Sequence, residues 1–213
     1  MSHPPVNSKS PDGDEILTDL PNRQRRRDNS WKFLRQWVKH PFRTAAMLPS
    51  SPALARLMAA GVNANSGQVV ELGPGTGAVT EALLQTGINP ANLWLVELNA
   101  DFARLLQQQY PALRVLHANA GDLNRLMPEA SVTTVISSLP MISLPHREQE
   151  RVLMAALAVL QPGGALYQFS YSKRFPIPRQ ITQAMGLEVQ CVGGTLRNLP
   201  PAWVFRLTRS LPN

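Results

Sequence analysis

Hydrophobic positions change their spacing several times along the chain, and each change marks an element. After a polar, proline-bearing stretch over residues 1–22, Trp31, Leu34, Trp37 and Val38 recur at three- and four-residue intervals. That spacing predicts an amphipathic helix from Trp31 to Lys39, capped by Ser30. His40-Pro41 stops it, because the residue ahead of a proline disfavours helical dihedrals. A second helix is predicted from Pro52 to Ala60, with Ser51 as cap, Pro52 at its first position and Gly61 after its end. Short runs rich in β-branched residues and leucine, bounded by turn residues, then read as buried strands at Gln68–Leu72, Leu93–Glu97, Leu113–His117, Val132–Ser137 and Ala165–Ser170. Helical patterns separate them at Thr80–Gly87, Ala100–Tyr110 and Arg147–Leu160. Phe102, Leu105 and Leu106 form the buried stripe of the middle one. A turn at Pro162-Gly163-Gly164, a short helix at Ile181–Met185 and a hairpin of Leu187–Leu196 with Trp203–Thr208 complete the pattern. Gly193 and Gly194 signal a bulge in that hairpin.

The organising stretch is Val69-Val70-Glu71-Leu72-Gly73-Pro74-Gly75-Thr76-Gly77, a buried strand ending in an acid and breaking into a turn with glycines at alternate positions. A glycine-rich strand-to-helix turn lets a ligand touch main-chain N–H groups, since no Cβ intervenes. Its spacing is acid-x-G-x-G-x-G, unlike the G-x-G-x-x-G of dinucleotide folds. The next strand ends in Glu97, a carboxylate able to accept two hydrogen bonds from a ribose diol.

Length and charge narrow the classes. A chain of 213 residues fits one α/β domain with appendages. No apolar run approaches the ~20 residues of a membrane span, and residues 1–20 lack a signal-peptide core, so a cytoplasmic location is expected. The lone Cys191 offers neither a disulfide nor a metal cluster and is expected as a small buried hydrophobe. The net charge of +7 resides between Arg23 and Arg43, where eight cations face Asp28 alone and the remainder of the chain balances. A basic segment on a balanced chain points to an anionic partner, either nucleic acid or an acidic lipid surface. The Trp31–Lys39 helix, with Trp31 and Trp37 beside Lys32, Arg35 and Lys39, has the composition of an interfacial membrane helix; packing on the domain as a lid is the alternative.

The glycine turn with Glu71 and Glu97 resembles the Rossmann-like S-adenosylmethionine-dependent methyltransferases. The resemblance extends through Phe33-Leu34-Arg35, His40-Pro41-Phe42-Arg43-Thr44, Leu48-Pro49-Ser50-Ser51, Ser138-Leu139-Pro140 and Asn198-Leu199-Pro200-Pro201-Ala202 to the bacterial soluble-type phospholipid N-methyltransferases, which convert phosphatidylethanolamine stepwise to phosphatidylcholine. It implies an α/β class I methyltransferase fold. The sheet would be seven-stranded and mostly parallel, with a C-terminal antiparallel hairpin and an N-terminal helical extension. The organisation expected is a disordered tail over 1–22, basic amphipathic helices over 23–66 and a cofactor-binding catalytic domain over 67–213.

The resemblance also implies S-adenosylmethionine as cofactor, leaving as S-adenosylhomocysteine. Its binding residues would be Glu71, Gly73, Gly75, Thr76, Gly77, Glu97, Leu98, Asn119, Ala120 and Ser137. Where the family usually has an acid for the adenine amino group, this chain has Asn119, with Asp122 three residues on; an asparagine oxygen accepts the same bond. Ser138 and Leu139 would line the acceptor pocket, with Tyr171 at the end of the Tyr167, Phe169, Tyr171 alternation. Their loop lacks the leading asparagine and the aromatic residue that clamp an exocyclic base amine, which counts against nucleic-acid methylation. Lipid or membrane contacts are expected at Trp31, Lys32, Arg35, Trp37, Lys39, Arg43, Ser50, Arg197 and Asn198.

The activity implied is in-line methyl transfer to a neutral phospholipid amine by a monomer bound peripherally at the inner face of the membrane, without metal. A ribosomal or transfer RNA methyltransferase and an ornithine-lipid N-methyltransferase are the alternatives.

Overall fold

The structure, a computed structural model, describes residues 50–210. The expected Trp31–Lys39 helix, the basic segment and the 1–22 tail lie outside the described residues. Seven strands, β1 (Val69–Leu72), β2 (Leu93–Glu97), β3 (Arg114–His117), β4 (Val132–Ser137), β5 (Leu160–Ser170), β6 (Leu187–Thr195) and β7 (Ala202–Arg209), form one sheet ordered β3-β2-β1-β4-β5-β7-β6. The first five run parallel, and β7 is antiparallel to both β5 and β6. The helices are α1 (Pro52–Ala59), α2 (Ala78–Gln85), α3 (Ala100–Gln109), α4 (Leu123–Leu126), α5 (His146–Val159) and α6 (Arg179–Ala184). This is the α/β methyltransferase architecture expected from the sequence.

Every residue of β1 is buried, as a central parallel strand covered on both faces requires. Alternation along the strands sends one set of side chains to each face. Val69, Leu95, Ile136 and Phe169 pack with Leu54 and Met58 of α1, Leu83 of α2 and Leu106 of α3. Val70, Val96, Val135 and Leu166 pack on the other face with Leu123 of α4 and Leu153 of α5. Helix α1, assigned by sequence to the N-terminal extension, therefore contributes to the same core as the sheet. Strand order reverses between β1 and β4, so a crevice opens at the carboxyl ends of these strands, where ligands of open α/β sheets bind.

Several boundaries differ from the sequence pattern for local reasons. Helix α2 begins at Ala78, because Gly77 at φ 87° turns the chain directly into it. Helix α5 ends at Val159, and β5 starts at Leu160 rather than Ala165, running through the glycine pair with an irregular register against β4. Leu105 is exposed while Leu106 is fully buried, so the α3 stripe is narrower than its leucines indicate. Cys191 is exposed too, since its strand β6 is the sheet's edge and burial there is partial. The bulge expected at Gly193 is present as a register shift between Cys191 and Gly193. Among the described residues no helix is long and apolar enough to cross a membrane, and no group of ligating side chains is arranged to hold a metal ion.

Candidate active site

Two backbone bonds carry the sheet ladder into the crevice. The Gly73 N–H donates to the Val96 carbonyl at 2.9 Å, and the Ser138 N–H donates to the Leu72 carbonyl at 2.9 Å. The turn that follows holds Gly73, Gly75 and Gly77 at φ 68°, 58° and 87°, all in the left-handed region that favours glycine. Their surroundings differ. A Cβ on Gly73 would lie 2.5 Å from Leu139 Cδ2, and one on Gly77 would lie 3.2 Å from the Tyr110 ring. One on Gly75 would meet nothing within 4 Å. Gly73 thus admits the loop after β4, Gly77 admits α3, and Gly75 leaves main chain facing open space.

Two carboxylates converge on this turn. Glu71 is completely buried; its Oε2 accepts from Thr80 Oγ1 at 2.6 Å and its Oε1 from Ser138 Oγ at 3.3 Å. Burial pushes its carboxyl up to about 7, against the two hydroxyl donors and with help from the Glu97 charge. Glu97 is held from both sides: Oε2 accepts from the Gly75 N–H at 3.0 Å and Oε1 from the Asn99 N–H at 2.7 Å. Burial raises its carboxyl as well, and backbone donors at Asn99, Gly75 and Leu98 oppose the rise. A carboxylate offers about four acceptor directions, so Glu97 keeps capacity beyond these backbone donors for a further one such as a ribose hydroxyl.

After β3, Asn119 caps the turn at Ala120–Asp122 by accepting from the Gly121 N–H at 2.8 Å. Asp122 is fastened to Arg151 at 2.6 Å and lies 3.6 Å from Arg125, so its carboxylate serves the packing of α5. Of the two sequence candidates for the adenine amino group, Asn119 is the one without a cation on its oxygen. The carbonyl of Leu98 lies 3.1 Å from His117 Nε2. At the end of β4, Ser137 Oγ is buried with no hydrogen-bond partner, between Leu72 and Gln168 in register. A buried orphan hydroxyl is costly, and a ligand or ordered water in the crevice would relieve it.

The loop after β4 is fixed by two buried glutamines that the sequence analysis did not single out. Gln168 Nε2 donates to the Leu139 carbonyl at 2.8 Å, and Gln149 Nε2 donates to the carbonyls of Met141 and Leu144, each at 2.9 Å. The Met141 N–H also donates to the Leu139 carbonyl at 2.9 Å. The sequence signal was a polar residue at a core position: Gln168 lies among Tyr167, Phe169 and Leu166, all buried. Tyr167 and Phe169 belong to the core, whereas Tyr171 is half-buried and meets Phe169 edge to face at 5.2 Å. Burial raises the Tyr171 phenol.

The remaining expected contacts divide. Arg197 is exposed, but Asn198 is buried and its amide is committed: Oδ1 accepts from the Ser51 N–H at 2.9 Å and Nδ2 donates to the Pro200 carbonyl at 2.7 Å. A lipid-phosphate contact by Asn198 is therefore replaced by a structural role, joining the β6–β7 loop to the start of α1. Ser50 lies beside that junction, half-buried. Trp31, Lys32, Arg35, Trp37, Lys39 and Arg43 are outside the described residues.

Sheet order, the glycine turn from β1 to α2 and the acid closing β2 define a class I S-adenosylmethionine-dependent methyltransferase. The residues present fit that cofactor: open space over the Gly75 main chain, spare acceptor capacity on Glu97 and an unpartnered Ser137 hydroxyl. Residues 69–164 match the family described as "Methyltransferase domain". The chain is 30% identical over 181 residues to the ornithine lipid N-methyltransferase of Singulisphaera acidiphila, covering 81% of this chain and 92% of that one. The chain belongs to this methyltransferase family. A ribosomal RNA small subunit methyltransferase A from Synechococcus is 33% identical over 72 residues, 34% of this chain and 25% of the other. Among solved structures, the glycopeptide N-methyltransferase MtfA, complexed with S-adenosylmethionine, superposes with a TM-score of 0.58 at 12% identity, over 76% of this chain and 96% of that one.

Proposed function

We propose that the enzyme methylates the primary amine of a membrane-lipid headgroup. The observation that carries this reading is the occupied carbonyl of Leu139, which already accepts from the Met141 N–H and from Gln168 Nε2. A base amine held by this loop needs a free carbonyl and an aromatic face; here both lone-pair directions are taken and Met141 and Ile142 stand in place of a ring. The relative that aligns over most of both chains is named for an ornithine lipid, which supports a lipid amine as acceptor. Between lipid amines that relative favours ornithine lipid. Phosphatidylethanolamine, on the way to phosphatidylcholine, is the second reading, carried by the motifs over residues 33–51 and 198–202.

S-adenosylmethionine supplies an electrophilic sulfonium methyl group. Glu97 and the main chain at Gly75 orient the cofactor, Asn119 offers its amide to the adenine, and the loop around Leu139 sets the opposite wall. Such a displacement depends mainly on placing nitrogen in line at near-attack distance. The amine must lose its proton first; its acidity resembles that of lysine, and a water-poor pocket favours the neutral form. Tyr171, half-buried at the end of β5, presents a ring face to the cationic product. Association with the inner face of the membrane, through the basic N-terminal segment, belongs to the same proposal.

The test supplies the full-length protein with labelled S-adenosylmethionine and, in parallel, ornithine lipid, phosphatidylethanolamine and bacterial RNA, both lipids in anionic vesicles. Label in a lipid fraction is expected, and chromatography then counts the methyl groups. Label in RNA alone would refute the lipid reading and leave the cofactor site standing.

A further inference from the structure

The β6–β7 loop, residues 196–201, presents two leucines to solvent. Leu196 is 82% exposed and Leu199 76%, the most exposed large hydrophobics among the described residues. Arg197 stands between them, exposed, while Asn198 turns inward. This loop is not a loose tip. Asn198 bonds the Ser51 N–H and the Pro200 carbonyl, and the approach of α1 is close enough that a Cβ on Gly193 would lie 3.1 Å from Leu57 Cδ1. The fold holds the apolar pair outward.

Topology places the pair at the mouth of the site. Strand β7 runs antiparallel to β5, and Trp203 near its start pairs with Ser170 at the carboxyl end of β5. The loop therefore projects from the same sheet edge as the glycine turn and the loop after β4. Lys173 lies 5.8 Å over the Trp203 ring at the base of the hairpin, with Arg174 beside it. Lys173, Arg174 and Arg197 are exposed and make no ion pair among the described residues. No acidic residue occurs between Glu150 and Glu188, or after Glu188. The charge balance outside the basic N-terminal segment thus conceals a cationic C-terminal part.

We infer that the β6–β7 loop is a membrane-inserting element, with Leu196 and Leu199 entering the interface of an anionic bilayer and Arg197 and Lys173 meeting its headgroups. Apolar tips flanked by cations are the composition that such an interface selects. Charge decides against the competing occupant within the chain: the segment Arg23–Arg43 is itself strongly basic, so a cationic loop attracts an anionic surface and repels that segment. The inference rests on the lipid reading and assigns the face by which the enzyme meets its acceptor.

The test uses the full-length chain with Cys191→Ser, which removes an exposed thiol. A polarity-sensitive dye is attached at Leu196→Cys or, as control, at Met154→Cys on α5, where the native side chain is exposed away from this edge. Anionic vesicles are expected to blue-shift the dye at 196 and leave 154 unchanged. Leu196→Glu with Leu199→Glu is expected to lower vesicle partitioning by about tenfold or more, with an unaltered melting temperature, since both side chains are solvent-exposed. No shift at 196 overturns the inference, even where the protein floats with vesicles. A dye already shifted without vesicles overturns it in favour of coverage by the chain itself or a second copy. Equal insertion into neutral vesicles overturns the anionic partner. Methyl transfer to detergent-dispersed lipid, measured on the double glutamate variant, tells the two failures apart: if it persists, the lipid reading stands without the docking face.

Discussion

Glu71 is an ionisable group enclosed in the core, and replacing it with glutamine isolates what that enclosure costs. The carboxyl is fully buried and sits at about 7, where an exposed glutamate has 4.5. Below pH 4.5 it is neutral in both folded and unfolded chains, so its burial carries no charge penalty. As pH rises, the unfolded chain ionises first while the folded chain keeps its proton, and stability falls until the folded carboxyl ionises near pH 7. A difference of this size amounts to about 3 kcal/mol at pH 8. Glu71→Gln keeps the shape and an acceptor for Thr80 Oγ1 but cannot ionise. It should match the wild type near pH 4.5 and exceed it by about 3 kcal/mol at pH 8, equivalent to roughly 6–12 °C in a domain of this size.

The assay is urea or thermal unfolding of the cofactor-free protein at intervals from pH 4.5 to 8. Parallel curves for the two proteins would refute the reasoning, because the glutamine variant lacks the only group invoked. The cofactor should act on the same proton. A cationic ligand in the crevice favours the ionised carboxylate, so binding near neutral pH should release more protons from the wild type than from Glu71→Gln, which keeps only Glu97. Calorimetry in buffers of different ionisation enthalpy reads that difference directly.

Three further outcomes follow from the site. Gly75→Ala places a methyl group in the open space above the turn at φ 58°; it should cost about 1–2 kcal/mol in stability and weaken S-adenosylmethionine binding, measured by calorimetry, by about tenfold or more. Asn119→Ala should weaken the same binding, whereas Asp122→Asn, which disturbs the ion pairs to Arg151 and Arg125, should leave it within about twofold and lower the melting temperature slightly. Gln168→Leu leaves the Leu139 carbonyl with one donor; it should cost about 1–3 kcal/mol and lower kcat, with cofactor affinity unchanged in a direct binding assay.

The parts of the protein legible in the sequence were those fixed by local patterning. Strand-ending acids at Glu71 and Glu97, alternate glycines and the Ser51-Pro52 helix start all encode their geometry within a few residues, and the structure bears each out. What escaped depends on neighbours distant in sequence. Asn198 looked available for a ligand because nothing near it in the chain announces the Ser51 N–H, 147 positions away, that occupies its oxygen. Asp122 stood beside Asn119 as an alternative for the adenine, and nothing near it in the chain announces Arg151, 29 positions away, that pairs with its carboxylate. Gln168 carried a signal, a polar side chain in an apolar position, but the Leu139 carbonyl it meets is 29 positions away, on a loop whose path only the packed sheet defines.

The antiparallel seventh strand explains why Asn198 and its loop come to the start of α1. Had β7 continued the parallel series, its entry would lie at the opposite edge, as it does for β2 and β4. Because β7 runs against β5 and β6, a direct hairpin returns residues 196–201 to the carboxyl edge, beside the start of α1 and the end of β5. Lys173, Arg197, Leu196 and Leu199 then share the edge that carries the glycine turn and Glu97, although they stand about a hundred positions from it in sequence. On the proposed lipid reading, a headgroup presented by a membrane lying on that edge would reach the crevice without leaving its lipid layer. Turning the same sequence of strands into an all-parallel sheet would keep the glycine turn and Glu97 together and carry residues 196–201 away from them, so the C-terminal hairpin is the part of the fold on which the proposed docking face depends.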